Sequence, residues 1–259
     1  DVETDAFIGV DFIAFPLTQT FNLENGLDQT VLAAAGYFDF LSSNTEVATI
    51  NEEGLIAVVG TGSSKITASL NNVSAAGSLT VYSAREFVAA PTPNRDPANV
   101  VSIFSDAYED VQLNAINPYN GFFNGDGQTT QGGRLEIGDG SIISYSALNF
   151  VSVNMFTAPD VDASAMTHIH VDINVRETLD DGDVLNFQII NNDGEPEFSS
   201  GSVSLGDYSP LLTDEWVSYD IPLTDFAGLT GTEDVDLIFF ISNATISEIY
   251  VDNIYFYRE

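Results

Sequence analysis

The polar side chains best placed for chemistry share one predicted strand, residues 166–176. The stretch Met166–Arg176 (MTHIHVDINVR) alternates apolar with polar residues, so a strand there has one face in the core and one polar face. An imidazole, a carboxylate, an amide and a guanidinium on that face can all bond the hydroxyl groups of a sugar. The predicted hydrogen-bonding residues are His170, Asp172, Asn174 and Arg176.

The sequence gives little indication of a metal site or of catalysis. His168 and His170 are the only histidines, and with Asp172 they can bind a metal, but no third cluster with ligand spacing occurs, which favours a cleft-lining role. The sequence has no G-x-S-x-G and no cysteine, which argues against serine and thiol catalysis. The 39 acidic residues leave a glycoside hydrolase with paired carboxylates open as an alternative.

Aromatic residues in a Gly/Asn-rich loop provide a second candidate feature. Residues 117–130 (NPYNGFFNGDGQTT) hold Tyr119, Phe122 and Phe123 in a segment that offers little to bury them. Flat rings pack on the C–H faces of sugars, while an amide such as Gln128 bonds the hydroxyls. The loop therefore predicts stacking by the three rings, with folding back onto the domain as the alternative. Trp216, the only tryptophan, is assigned to core or rim packing.

Two acids lie near the ends of the second half of the chain. Asp106 follows the apolar run Val100–Phe104, and Asp252 lies within the last apolar run, Ile249–Tyr257. If these two strands pair, both carboxylates come close together, and Ca²⁺ prefers carboxylate and carbonyl oxygens. The sequence thus predicts a structural calcium ion held by Asp106 and Asp252.

The elements that must position these residues are strands, with no sustained helical periodicity. Residues 1–83 contain short β-rich runs separated by glycine breakers, which predicts a small antiparallel sandwich. The linker 84–90 opens a proline-rich stretch that extends to residue 99, and residues 91–259 form the second domain. Its longer strands favour a two-sheet jelly roll.

Composition excludes several classes of partner. The net charge is −33, with six basic residues in 259, so nucleic acid and anionic membranes are not expected partners. No apolar run is long enough to span a bilayer. The chain begins at an acidic Asp1 without methionine, which we interpret as a processed start from which a lipid anchor has been removed.

The first domain resembles the bacterial Ig-like domains of group 2. Their usual pattern is W-x-S-S-N-x-x-V-A-T-V, then G-x-V-x-A-x-x-x-G, then a-x-I-T-A. The corresponding segments here are Phe40–Ile50 (FLSSNTEVATI), Gly54–Gly62 (GLIAVVGTG) and Lys65–Ala68 (KITA). The resemblance implies a spacer or adhesive module, with phenylalanine in place of the usual tryptophan.

The second domain resembles the β-sandwich carbohydrate-binding modules attached to secreted glycanases and surface glycan-binding proteins of marine Bacteroidetes. The segments that carry this resemblance are Ala90–Pro93 (APTP), Val100–Tyr108 (VVSIFSDAY), Val161–Asp172 (VDASAMTHIHVD), Trp216–Leu223 (WVSYDIPL) and Val251–Phe256 (VDNIYF). It implies a jelly roll with a structural calcium ion that binds a β-glucan of the laminarin type. The family's N-P-x-W-G-Q-x-T loop is longer here and lacks its tryptophan, so Phe122 or Phe123 replaces the stacking ring or the specificity differs.

The prediction is therefore an all-β, non-catalytic protein in which an Ig-like spacer carries a glycan-binding jelly roll. The expected partners are a polysaccharide, namely a β-glucan such as laminarin, and components of an outer-membrane glycan importer. The expected location is the outer face of the outer membrane or the medium. The alternatives are a structural or adhesive stalk without glycan binding and, less favoured, a glycoside hydrolase.

Overall fold

A computed structural model describes residues 1–13, 17–113, 117–120, 127–137, 140–156, 161–192 and 198–259, with the side chains of 84–86 excepted. The chain divides into two units, Asp1–Ala89 and Ala90–Glu259. The described residues form strands and short 3₁₀ turns and contain no α-helix, which confirms the all-β prediction. No helix in the described part of the chain is long and apolar enough to cross a membrane.

The described residues of the first unit form ten strands. They are β1 Val2–Ile8, β2 Asp11–Ile13, β3 Leu17–Asn22, β4 Asp28–Ala33, β5 Asp39–Ser42, β6 Ala48–Ile50, β7 Leu55–Val58, β8 Gly62–Leu70, β9 Val73–Ser74 and β10 Leu79–Glu86. One 3₁₀ turn, Ala35–Tyr37, precedes β5. Strand β10 continues to Glu86, so the predicted domain end at residue 83 falls inside a strand.

Three sheets build this unit. The largest has the order β1-β10-β8-β5, with β1 parallel to β10 and β9 paired to β8. A second sheet joins β2, β7 and β6, and β3 and β4 form a separate hairpin. The buried core is small and consists of Ala48, Ile56, Val58, Ile66, Leu79 and Val81.

Ten strands also occur in the described part of the second unit. They are β11 Val100–Phe104, β12 Gln131–Ile137, β13 Gly140–Ser146, β14 Phe150–Asn154, β15 His168–Val175, β16 Asn186–Asn192, β17 Phe198–Ser204, β18 Trp216–Pro222, β19 Val235–Ile241 and β20 Ile249–Tyr257. Four 3₁₀ turns connect them, at Pro97–Asn99, Pro118–Asn120, Leu205–Asp207 and Leu223–Asp225.

Two sheets enclose one core in this unit, as a sandwich requires. The six-stranded sheet has the order β12-β13-β20-β15-β18, with β11 paired to β20, and the four-stranded sheet has the order β14-β19-β16-β17. The core draws from both sheets, for example Val171 and Ile254 from one and Phe187 and Phe240 from the other. The apolar residues that alternate along each strand therefore fix which polar residues face outward.

The predicted pairing of the first and last strands of this unit is confirmed. Strand β11 runs antiparallel to β20, with Val100 opposite Tyr257 and Ser102 opposite Tyr255. Strand β20 also pairs with β15 and β13, so it lies at the centre of the sheet. Asn253 has a φ of 52°, at an irregularity that shifts the register between β15 and β20.

Candidate functional site

The candidate site lies on the outer face of the six-stranded sheet, where β15 runs between β18 and β20. The antiparallel register places His170 opposite Asp220 of β18 and Tyr255 of β20. Two residues farther along β15, Asp172 lies opposite Ser218 and Asp252. Strand β18 is at the edge of the sheet, so its outward residues remain accessible.

The predicted polar face of β15 is largely covered. His170 is 7% exposed, Asp172 is fully buried and Asn174 is 2% exposed. Tyrosine rings of β20 pack on the histidines, and Tyr255 stacks on His170 with ring centroids 4.6 Å apart. On the same face of the sheet, Ser218 and Asp220 of the edge strand β18 are exposed. The binding role of the β15 residues stays a prediction.

A groove remains along β18, with a volume of about 320 Å³. We call it the β18 groove. Its lining consists of Pro91–Arg95, His170, Asp172, Ser218, Asp220 and Tyr255. It thus combines two carboxylates, an imidazole, a hydroxyl and an aromatic ring on a strand framework.

The imidazole of His170 is held between two carboxylates. Its Nδ1 lies 3.0 Å from Asp220 Oδ1, and its Nε2 lies 3.3 Å from Asp172 Oδ1. Burial alone lowers the pKa of His170, but the two carboxylates outweigh it and the net shift is upward. The hydrogen bond from His170 is also the main reason why the pKa of Asp220 is lowered, against an opposing effect of burial. Both groups therefore favour their charged forms.

The buried carboxylate of Asp172 has partners on both oxygens. Ser218 Oγ donates to Oδ1, and Asn253 Nδ2 donates to Oδ2 at 2.7 Å. The hydroxyl of Ser218 is thus bonded to a carboxylate, whereas a serine nucleophile needs a hydrogen bond to a base such as imidazole. This arrangement positions polar groups for binding and does not form a serine triad.

Asn174 lies farther along β15, and Arg176 directly follows the end of this strand. Arg176 Nη1 donates to Asn174 Oδ1 and Asp214 Oδ1, each at 3.1 Å, and its guanidinium lies 4.6 Å from the centroid of the Tyr250 ring. Trp216 is directly opposite Asn174 on β18 and is half-buried, in agreement with the predicted rim position. The sheet therefore brings His170, Asp172 and Asn174 of β15, followed by Arg176 just after the strand, into one row beside the groove.

The predicted loop residues are not placed in this row. Tyr119 is 8% exposed and packs edge-on against Phe104, with ring centroids 5.0 Å apart. The prediction of an exposed stacking ring at Tyr119 is wrong, because this ring belongs to the core. Gln128 is half-buried, and its Nε2 donates to Asn120 Oδ1 at 3.2 Å. Phe122 and Phe123 lie outside the described residues, and their role stays a prediction.

The predicted calcium ligands have different environments. Asp106 is exposed and accepts hydrogen bonds from the Ser141 N–H at 2.8 Å and the Ser141 hydroxyl at 3.0 Å. Asp252 is 7% exposed, and its Oδ1 accepts from the Asn253 N–H at 2.7 Å. Among the described residues no group of three or more His, Cys, Asp or Glu side chains is arranged to hold a metal ion. These side chains alone do not make a fitted site, so calcium binding stays a prediction.

Burial strongly shifts the pKa of the Asp252 carboxyl. Desolvation raises its pKa to about 7, and the negative charges of Asp106, Asp172 and Asp110 add to this, while the Asn253 N–H opposes it. The neutral acid is therefore well populated at neutral pH.

Sequence reasoning missed Arg95, Ser218, Asp220 and Tyr255. The alternation of β18 held a signal for two of them, because Val217, Tyr219 and Ile221 are buried and their neighbours must face outward. No sequence pattern pointed to Arg95, which lies in the stretch assigned as a proline-rich connection.

Comparisons with known proteins give structural neighbours only. No family model and no curated protein sequence matches this chain. The solved structures that are similar to it include the following three. The family 30 carbohydrate-binding module of cellulase Cel9D-Cel44B of Clostridium thermocellum has 16% identity and a TM-score of 0.43, over 62% of this chain and 98% of that one.

The second is the family 11 module of the same organism, in complex with a β-1,3-1,4-mixed-linked tetrasaccharide. It has 16% identity and a TM-score of 0.38, over 55% and 94% of the two chains. The third is SGBP-B from a complex xyloglucan utilization locus in Bacteroides uniformis, with 11% identity and a TM-score of 0.36 over 95% and 80%. Similarities this low assign no ligand to this chain.

Proposed function

We propose that this chain is a non-catalytic glycan-binding protein and that its second unit binds the polysaccharide in the β18 groove. The observation that carries the proposal is the composition of this groove, where the carboxylate of Asp220, the imidazole of His170 and the hydroxyl of Ser218 surround an opening of about 320 Å³. Hydroxyl-rich ligands need several acceptors and donors placed at fixed positions, and small-ligand sites start at about this volume.

The electrostatics fit binding better than catalysis. Each ring nitrogen of His170 faces a carboxylate, with Asp220 Oδ1 3.0 Å from Nδ1 and Asp172 Oδ1 3.3 Å from Nε2, so both proton-transfer positions of the imidazole are already engaged. Asp172 is fully buried beneath them and has hydrogen-bond donors on both oxygens. A hydrolase needs two carboxylates on either side of the scissile bond, and this arrangement offers only Asp220 to the solvent.

The identity of the glycan and the location of the protein are proposed from the resemblance of its sequence to carbohydrate-binding modules. We propose a β-glucan such as laminarin as the ligand and an extracellular position, as part of a polysaccharide-utilisation system. In this scheme the protein holds the glycan near hydrolases and outer-membrane importers, and the first unit serves as an Ig-like spacer.

Affinity electrophoresis and calorimetry against laminarin, mixed-linkage glucan, xylan and alginate test the proposal. We expect laminarin to retard the wild-type protein and alginate to have no effect. Ser218→Tyr should abolish binding because a ring at this exposed position fills the groove. The matched control is Ser202→Tyr, an exposed strand serine of β17 in the other sheet. Failure of every glycan to bind the wild type would refute the proposal, and release of reducing sugar would replace it with the hydrolase alternative.

One observation favours a second candidate, a structural or adhesive stalk. Hairpin β3-β4 and its connection expose several large apolar side chains, namely Phe21, Leu23, Leu27, Val31 and Leu32. Contiguous exposed apolar residues are typical of surfaces that contact other proteins. For this candidate, no soluble glycan should shift the melting temperature.

A further inference from the structure

The segment Pro91–Arg95 does not behave as a free linker. It contributes five consecutive residues to the lining of the β18 groove, opposite Ser218 and Asp220. We call this segment the strap. The strap supplies half of the ten lining residues, so its position affects the shape of the groove.

Hydrogen bonds fix the strap at both ends. At its start, Asn253 Nδ2 of β20 donates to the Pro91 carbonyl at 3.0 Å. At its end, the Arg95 N–H donates to Tyr108 Oη at 2.9 Å, and the Tyr108 hydroxyl donates back to the Arg95 carbonyl at 3.3 Å. Three prolines at 91, 93 and 97 limit the conformations of the chain between and beyond these anchors. The strap is therefore preorganised on the sheet.

The side chain of Arg95 points into the same region. Its Nη2 lies 3.0 Å from Asp220 Oδ1, and its guanidinium lies 3.4 Å from the centroid of the Tyr257 ring. The side chain keeps 31% of its surface exposed, and a guanidinium carries five N–H donors, so donors remain for a ligand.

We infer that Arg95 is a ligand-contacting residue and that the strap is a wall of the glycan site which selects uncharged sugars with adjacent hydroxyl groups. This inference rests on the proposed function. One hydroxyl of such a pair donates to the Asp220 carboxylate, and the next accepts from the Arg95 guanidinium. The two groups are already held together, so little side-chain freedom is lost on binding.

Charge sets the selectivity against acidic glycans. The cationic groups of the lining, Arg95 and His170, are paired with the carboxylates of Asp220 and Asp172, so the lining carries no excess positive charge. Residues 84–259 contain 29 acidic residues against five arginines, a net charge of −24. A uronate or sulfated chain therefore meets repulsion with no uncompensated cation in the described lining.

Calorimetry with laminarin tests the inference on three proteins. We expect Arg95→Ala to weaken binding about tenfold, as for loss of a charged hydrogen bond. The matched control is Arg134→Ala, since Arg134 also has one carboxylate partner, Glu136 at 2.6 Å, and one aromatic neighbour, Phe104. This control should bind like the wild type. Equal binding by all three proteins would overturn the inference and leave the proposed function intact.

A second measurement uses the wild type alone, so that misfolding of a variant cannot decide the result. Trypsin can cleave after Arg95 and after Arg134, and mass spectrometry follows both products. We expect laminarin to slow cleavage after Arg95 and to leave cleavage after Arg134 unchanged, while alginate protects neither site. Laminarin binding without protection at Arg95 would overturn the inference, whereas absence of any laminarin binding would refute the proposed function.

Discussion

Replacement of Asp252 by asparagine should stabilise the protein, and increasingly so as the pH rises. The substitution keeps the shape of the side chain and its acceptor for the Asn253 N–H, but removes the negative charge beside Asp172 and Asp106. A raised pKa means that the folded state holds this proton more tightly than the unfolded chain does. The stability that this provides is fully present below about pH 4 and is lost between about pH 4 and 7.

The magnitude follows from the two pKa values. The interval between the ordinary value of 3.8 and about 7 corresponds to about 4 kcal/mol at pH 8. Solvent screening and relaxation around the ionised carboxylate reduce this free-energy difference, and we expect it to be about 2 kcal/mol. Asparagine should thus raise the free energy of unfolding by about 2 kcal/mol at pH 8 and by close to zero at about pH 4.

Urea denaturation of the wild type and Asp252→Asn at these two pH values measures the difference. EDTA is included so that no bound cation neutralises the cluster. The matched control is Asp162→Asn, because Asp162 is exposed and its pKa is lowered mainly by hydrogen bonds from Ser164. The reasoning is refuted if Asp252→Asn does not raise the free energy of unfolding at pH 8, or if it raises this free energy equally at both pH values.

Three other predictions concern individual residues. Tyr219→Phe should leave stability unchanged or raise it by up to about 1 kcal/mol in thermal denaturation, because the buried hydroxyl has no hydrogen-bond partner among the described residues; a clear loss contradicts this. Asn253→Ala should cost about 3 kcal/mol in urea denaturation, since this side chain bonds Ser105, Pro91 and Asp172 at a φ of 52°, and Asn253→Gly should cost less. Calcium binding at Asp106 and Asp252 predicts that EDTA lowers the melting temperature of the wild type but not of Asp106→Asn. A melting temperature insensitive to EDTA would argue against the ion.

The strand framework was the predictable part of this protein. Alternation between apolar and polar residues located β15, and apolar β-branched runs located β11 and β20 and their pairing. These signals are local, because burial on one face of a strand imposes a period of two on the sequence. The same logic placed His170, Asp172 and Asn174 on one face.

The accessibility of that face was not predictable from the strand itself. It depends on tyrosines from β20 and on the strap, and those contacts are made by residues more than 70 positions away in the sequence. Tyr119 shows the same limitation, because a glycine-rich loop suggests exposure while Phe104 provides a buried surface for the ring. Tertiary packing decides such cases, and a single sequence does not contain a local signal for it.

The fluorescence of Trp216 provides the most direct test of glycan binding in the β18 groove. Trp216 is the only tryptophan, it is half-buried, and it lies on the outer face of β18, two residues before Ser218. Titration with laminarin should give a saturable change in its emission that is lost in Ser218→Tyr and retained in Ser202→Tyr. Laminarin binding that leaves the emission unchanged, or a change that persists in Ser218→Tyr, would place the ligand elsewhere and contradict the account.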